Sequence, residues 1–251
     1  MIEIRMDAGI AVLTLSHGKA NALDIDFCKA LAARFADLKS YDDAKAVVLT
    51  GRGRIFSAGV DLKKLSEGGA PYIREFLPAL HALYEAVFFH PKPVVAAING
   101  HAIAGGCVLA ACADRRIMAR EGGRIGVTEL LVGVPFPAMA FEVVRAAVPP
   151  RYLSEFTLTG ATYDTDAALR QGWIDEVAEP ADLIDDALSV ARELAEISPV
   201  AFAQTKAQIR QPAAERLAAS GKETEKAVTE IWCADATLAR IRDYVARTLS
   251  K

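Results

Sequence analysis

Residues 94 to 113 read VVAAINGHAIAGGCVLAACA, an uncharged stretch whose interpretation decides the fold. Its length is about that of a membrane-spanning helix, ~20 residues. Asn99, His101 and the glycines at 100, 105 and 106 interrupt it and argue against a span. The run divides into a buried strand at Val94 to Ile98, a turn at Asn99-Gly100, and an apolar helix opened by Gly105-Gly106. Strand, turn and buried helix are the grammar of an α/β protein.

The same rhythm extends outward. Apolar, β-branched runs at Ile2 to Ile4, Ile10 to Leu15 and Ala46 to Thr50 alternate with helical patterns at Asp24 to Leu38 and Pro71 to Phe89. Asp24 is placed to cap a helix whose Phe27, Ala30, Leu31, Phe35 and Leu38 recur at helical spacing. After Asp164 the segment TDAALRQGWIDEV reads as a capped helix ended by Gly172 and a strand to Val177. Strands are not expected beyond about Ala178. Helices are expected at Ala181 to Ile197, Pro199 to Arg210 and Ala213 to Trp232, with a stripe of Leu183, Ala187, Val190, Leu194 and Ile197 suited to packing on the core or on a second copy. The architecture changes near residue 198 without a flexible linker, dividing a core at 1–197 from a helical region at 198–251.

Composition narrows the function. The 251 residues are 52% hydrophobic and 24% charged, with 29 Lys and Arg against 32 Asp and Glu, enough for one large domain with a substantial core. A net charge of -3, with no basic run longer than a pair, offers no footprint for nucleic acid. Cys28, Cys107, Cys112 and Cys233 have neither CxxC spacing nor histidines at metal-site distance, so neither zinc nor any other metal site is expected. The charged start MIEIRMDAG is unlike a signal peptide, and the expected location is cytoplasmic.

Three segments are suited to close backbone approach. In GRGRIFSAGVDL (51 to 62) a strand runs into a glycine-rich turn, where Asp61 serves as a helix cap or a loop brace. In the 98 to 114 segment, Gly105 and Gly106 leave N–H groups free at a helix start, a position fit for an oxyanion, a phosphate or tight helix packing. Neither GxGxxG nor GxxxxGK[ST] is present, which weighs against a nucleotide. In GGRIGVTELLVGVPFP (122 to 137), Glu129 stands among Val127, Leu130, Leu131 and Val132. By itself it is a turn residue or ion-pair partner, but apolar surroundings would raise its pKa and make it a base near neutral pH.

Taken in order, KANALD (19 to 24), FSAGVDL (56 to 62), AINGHAIAGGCVLA (97 to 110), IGVTE (125 to 129) and LTG with DAALRQGWIDEV (158 to 177) resemble the crotonase superfamily, the enoyl-CoA hydratase/isomerase family. The resemblance implies a spiral of ββα units with a C-terminal helical region that packs trimers, often paired as hexamers. It implies an acyl-CoA substrate that brings its own CoA, with no resident cofactor. Val60 and Gly105 would donate the two oxyanion-hole N–H groups, and Lys19, Ala20, Ala22, Ala58, Gly59, Asp61, Leu62, Gly106 and Thr128 would contact the substrate.

One departure bears on subclass. Family hydratases carry a glutamate just after the glycine loop and a second about twenty residues on; here the first position is Val108 and the second Glu129. Valine cannot orient or deprotonate water. Shifting a double bond from the 3 to the 2 position needs one base, and the layout resembles the monofunctional mitochondrial-type 3,2-trans-enoyl-CoA isomerases. The expectation is therefore an isomerase with Glu129 as the shuttling base; a hydratase, another lyase or hydrolase of this type, and a non-catalytic acyl-CoA binder are the alternatives. Outside the site, His101 and Glu75 read as structural and surface residues, Asp114 with Arg115-Arg116 as helix-end and surface pairing, Cys107 and Cys112 as core, and Lys206 as a solvated helix position. Leu65, Ile73, Phe76, Leu77 and Leu80 are expected to line the acyl pocket.

Overall fold

The computed structural model describes residues 1–121 and 123–248. The chain opens with β1 (Ile2–Asp7), β2 (Ile10–Leu15) and α1 (Ile25–Ser40). Strand-strand-helix units follow: β3 (Ala46–Gly51), β4 (Ile55–Ser57) and α2 (Leu62–Phe88); β5 (Val94–Ile98), β6 (His101–Ile103) and α3 (Gly105–Ala111); β7 (Arg115–Ala119), β8 (Ile125–Gly126) and α4 (Glu129–Val132). Then come α5 (Ala138–Ala147), α6 (Pro150–Thr159), α7 (Thr165–Gln171), β9 (Glu176–Ala178) and α8 (Leu183–Ala195). The helices α9 (Pro199–Arg216), α10 (Lys222–Cys233) and α11 (Asp235–Thr248) close the described chain, with a π-helical turn at Leu217–Gly221 between the first two.

Among the described residues the strands form a six-stranded sheet, β1-β2-β3-β5-β7-β9, and a three-stranded sheet, β4-β6-β8. Apart from the antiparallel β1 and β2, neighbouring strands are parallel. In each unit the first strand joins the large sheet and the second the small one before a helix returns the chain. That repetition is the ββα spiral of the α/β class expected above.

Period-two alternation explains why the large sheet is covered on both faces. Ile10, Val12, Val48, Val95 and Ile117 pack beneath Leu183, Ala187, Leu188 and Ala191 of α8. Leu13, Leu15, Val47, Leu49, Ala96 and Ile98 point the other way, into the larger core with Phe27, Leu31 and Phe35 of α1 and Leu80, Leu83 and Val87 of α2. Asp24 caps α1, its Oδ1 accepting from Phe27 N at 2.8 Å. The uncharged run is indeed strand, turn and helix, and among the described residues no helix is long and apolar enough to cross a membrane.

Local boundaries differ from the sequence reading where glycine or proline is followed by restored helix. The helix expected from Pro71 starts at Leu62, because Asp61 caps it, accepting from Lys64 N at 3.0 Å; Gly69 (φ 59°) then kinks it and the helix resumes. The helix expected from Ala213 is divided: α9 continues through Pro212, and a π turn separates it from α10.

The turn between β5 and β6 carries its loops into place. Asn99 accepts from Gly51 N and donates to Gly53 O, both at 2.9 Å, tying this turn to the preceding one. A Cβ at Gly100 would collide with the Arg54 carbonyl oxygen, so close stacking of the two turns requires glycine.

Candidate active site

Two loops meet at the end of the small sheet. The KANALD segment and the FSAGVD loop are laced together: Ala58 N donates to Ala20 O at 2.9 Å, Leu23 N to Gly59 O at 2.8 Å, and Asp61 N to Leu23 O at 2.9 Å. Asn21 (φ 49°) braces this corner by donating to Ile55 O and Phe56 O, both at 3.1 Å. Because Gly59 O and Asp61 N both face Leu23, the Val60 peptide N–H between them faces the opposite side. Among the described residues it has no hydrogen-bond partner.

The opposing loop is the start of α3. Ala104 N donates to Gly126 O at 2.8 Å and Val108 N donates to Ala104 O at 3.1 Å. Between those bonds Ala104 holds φ 50° and ψ -125°, a region that side-chain-bearing residues adopt at a cost of about 1–3 kcal/mol. The twist leaves Gly105 N–H as the first, unbonded donor of the helix. A Cβ placed on Gly59 would lie 3.0 Å from Gly105 N, and one on Gly106 would collide with the Ser57 carbonyl oxygen. The glycines are what let the two loops touch.

Glu129 begins α4 directly after Thr128 and is only 8% exposed. Burial pushes its carboxyl from the usual 4.5 up to about 7, partly opposed by the N–H groups of Glu129 and Thr128. Its Oε2 is buried without a hydrogen-bond partner among the described residues. A carboxylate in this state is poised to exchange a proton near neutral pH.

These groups border a cavity of about 240 Å³ lined by Ala20, Ala22, Ala58, Val60, Asp61, Leu62, Ile103, Ala104, Thr128, Glu129, Val132, Val134, Trp232 and Tyr244. Most of the residues expected from the sequence are thus on one wall. Gly59, Gly105 and Gly106 are buried and are not among the lining residues, and Lys19 is exposed on the segment leading into the cavity. The expected acyl-pocket residues are a correction: Leu65, Ile73, Phe76, Leu77 and Leu80 are packed into the main core and do not line the cavity. Their places are taken by Val132 and Val134, just beyond Glu129, and by Trp232 and Tyr244. The sequence reading has Trp232 only as the end of an expected helix; α10 and α11 return to the site only in the folded chain.

Other expectations are corrected as well. Lys206 is not solvated: it is 6% exposed, donating to Asp114 Oδ2 at 2.6 Å while Arg210 holds Oδ1 at 2.7 Å. Asp114 therefore anchors α9 to the core instead of serving a surface pair. Arg116 is also buried, bonded to both oxygens of Asp175 at 3.0 and 3.1 Å. As expected, Glu75 is exposed, paired with Lys29 at 2.9 Å and absent from the cavity lining, and Cys107 and Cys112 are buried. His101 is half-buried on β6 and does not line the cavity, and Val108 is 1% exposed in α3.

The family model described as enoyl-CoA hydratase/isomerase matches residues 5–237. The chain belongs to the enoyl-CoA hydratase/isomerase family. A probable enoyl-CoA hydratase of Mycobacterium bovis is 36% identical over 204 residues, 81% of this chain and 77% of its own. Carnitinyl-CoA dehydratase of Salmonella paratyphi B is 32% identical over 206 residues, 82% of this chain and 78% of its own. Human mitochondrial Δ3-Δ2-enoyl-CoA isomerase has the same fold, with a TM-score of 0.93 at 25% identity over 98% of this chain and 97% of its own. Family membership makes an acyl-CoA the fitting substrate and places the crotonase fold on independent ground.

Proposed function

We propose that this family member isomerises 3-enoyl-CoA to 2-trans-enoyl-CoA through a thioester enolate, with Glu129 as its single acid and base. The observation that carries the reading is one buried carboxylate, its Oε2 unpartnered, in a cavity that also receives the Val60 and Gly105 loops. In this reaction Glu129 takes a proton from C2 and the C2 electron pair delocalises into the C3–C4 double bond and the thioester carbonyl. The two backbone N–H groups bear the resulting charge on oxygen. Glu129 then returns the proton at C4, leaving a conjugated 2-enoyl thioester with no atom gained or lost. Lys19, Ala20, Ala22, Ala58, Gly59, Asp61, Leu62, Gly106 and Thr128 are the proposed acyl-CoA contacts.

The likeness to the human isomerase supports this reading, as does Val108 at the position where family hydratases carry a glutamate. The hydratase and dehydratase names of the sequence relatives favour a second reading, addition or removal of water. Asp61 is the other carboxylate on the cavity wall, and its Oδ1 is engaged as the cap of α2. Two substrates separate the readings: appearance of conjugated ultraviolet absorbance from a 3-enoyl-CoA marks isomerisation, and its loss from a 2-enoyl-CoA marks hydration. Packing of copies as trimers or hexamers belongs to the same proposal, and sedimentation equilibrium checks it.

A further inference from the structure

We propose that Tyr84 is a positioning residue for the oxyanion hole, its hydroxyl holding the Gly105 backbone so that the Gly105 N–H faces the thioester oxygen. The proposal rests on the enolate reading above. Tyr84 lies on α2, is 1% exposed, and donates its hydroxyl hydrogen to Gly105 O at 2.9 Å. This is a long-range bond from a different unit of the spiral, unlike the local bonds that form the α3 turn.

The need for such a bond follows from the glycines. Gly105 and Gly106 have no Cβ to restrict their torsions, so the place of the Gly105 backbone depends on the bonds made by the peptides on both sides of its Cα: the Ala104–Gly105 peptide, which carries the Gly105 N–H, and the Gly105–Gly106 peptide, which carries the carbonyl that Tyr84 binds. On the N-terminal side, Ala104 is held at φ 50° by its N–H to Gly126 O and its carbonyl from Val108 N. On the C-terminal side, the Gly105 carbonyl is held by Tyr84. The fit is mutual: a Cβ on Gly105 would lie 2.8 Å from the Tyr84 hydroxyl, 3.2 Å from Leu23 Cδ1 and 3.4 Å from Val60 Cγ2. Glycine therefore leaves free the space that the phenol, Leu23 and Val60 close in upon. Burial raises the Tyr84 phenol well above its ordinary range, which keeps the hydroxyl a donor wherever Glu129 works.

Tyr84→Phe deletes the hydroxyl and keeps the ring. The variant and the wild type are compared in thermal midpoint, affinity for saturated hexanoyl-CoA, kcat and KM with 3-hexenoyl-CoA, and the ultraviolet band of bound 2,4-hexadienoyl-CoA. That band moves to longer wavelength as the thioester oxygen accepts hydrogen bonds. The expected result is a kcat lowered about 3- to 10-fold, the scale of one hydrogen bond, with a smaller band shift and unchanged hexanoyl-CoA affinity. A variant with wild-type kcat and band shift overturns the proposal, as does one whose affinity and thermal midpoint fall with kcat while the shift stays intact. A wild type with neither turnover nor band shift overturns the enolate reading itself, and the role of Tyr84 with it. An active wild type beside an unaffected variant removes Tyr84 alone.

Discussion

Replacing Glu129 with glutamine tests catalysis and folding in opposite directions. A carboxyl whose pKa is raised on folding from 4.5 to about 7 favours the folded state when protonated and opposes it when ionised. The sign follows from proton counts: between the two values the folded chain binds more protons, so stability falls as pH rises through this window. At 1.36 kcal/mol per pH unit the full penalty is ~3 kcal/mol, reached above pH ~7. Glutamine is nearly isosteric and cannot ionise. The expected Glu129→Gln protein therefore matches the wild type at about pH 4.5 and is more stable by ~3 kcal/mol at about pH 8, measured by urea denaturation at each pH. The same variant lacks the proposed base, so 3-enoyl-CoA turnover should fall by about 10² or more. Wild-type kcat/KM should rise with pH around 7 as the carboxyl deprotonates. A variant that keeps its activity refutes the role of Glu129. A variant that is inactive yet no more stable above pH 7 refutes the argument from burial.

Three further perturbations address the surrounding structure. Gly59→Ala places a Cβ 2.6 Å from Ile103 O at φ +82°, so it should lower the thermal midpoint and, by separating the two donor loops, depress kcat more than it weakens acyl-CoA binding. Trp232→Ala removes a 2% exposed ring whose Nε1 donates to Pro135 O at 2.9 Å. It should cost about 3–5 kcal/mol in denaturant unfolding and, where the protein remains folded, shift kcat/KM toward longer acyl chains. Val108→Glu introduces a carboxylate at a 1% exposed position. If the proposed isomerase reading holds, hydration of a 2-enoyl-CoA should be greater in this variant than in the wild type, together with reduced stability, followed as loss of conjugated absorbance and a lower thermal midpoint.

Much of the fold was readable along the chain because its determinants are local. Alternation in Ile10 to Leu15 and Ala46 to Thr50, the cap at Asp24, and the glycine stop at Gly172 each act within a few residues. The burial of Glu129 was readable in part: Val127 and Val132, which flank it in sequence, are buried with it, whereas Leu131 is 55% exposed. The ordered motifs from KANALD to WIDEV identified the family without reference to any contact.

What only the folded chain decided depends on contacts between residues far apart in sequence. Lys206 looked solvated because nothing beside it carries an opposite charge; its partner Asp114 comes from the end of α3. The apolar face of α2 suggests the acyl wall because it follows the FSAGVD loop closely in sequence, yet of its leucines only Leu62 lines the cavity, Leu65, Leu77 and Leu80 are consumed by the core, and Trp232 and Tyr244 arrive from far along the chain. Tyr84 carried no motif, and its bond to Gly105 exists because the spiral lays α2 against α3. Local periodicity determines which faces are apolar, but the partner of each face is chosen by packing the whole chain, where volume and hydrogen bonding must be satisfied together.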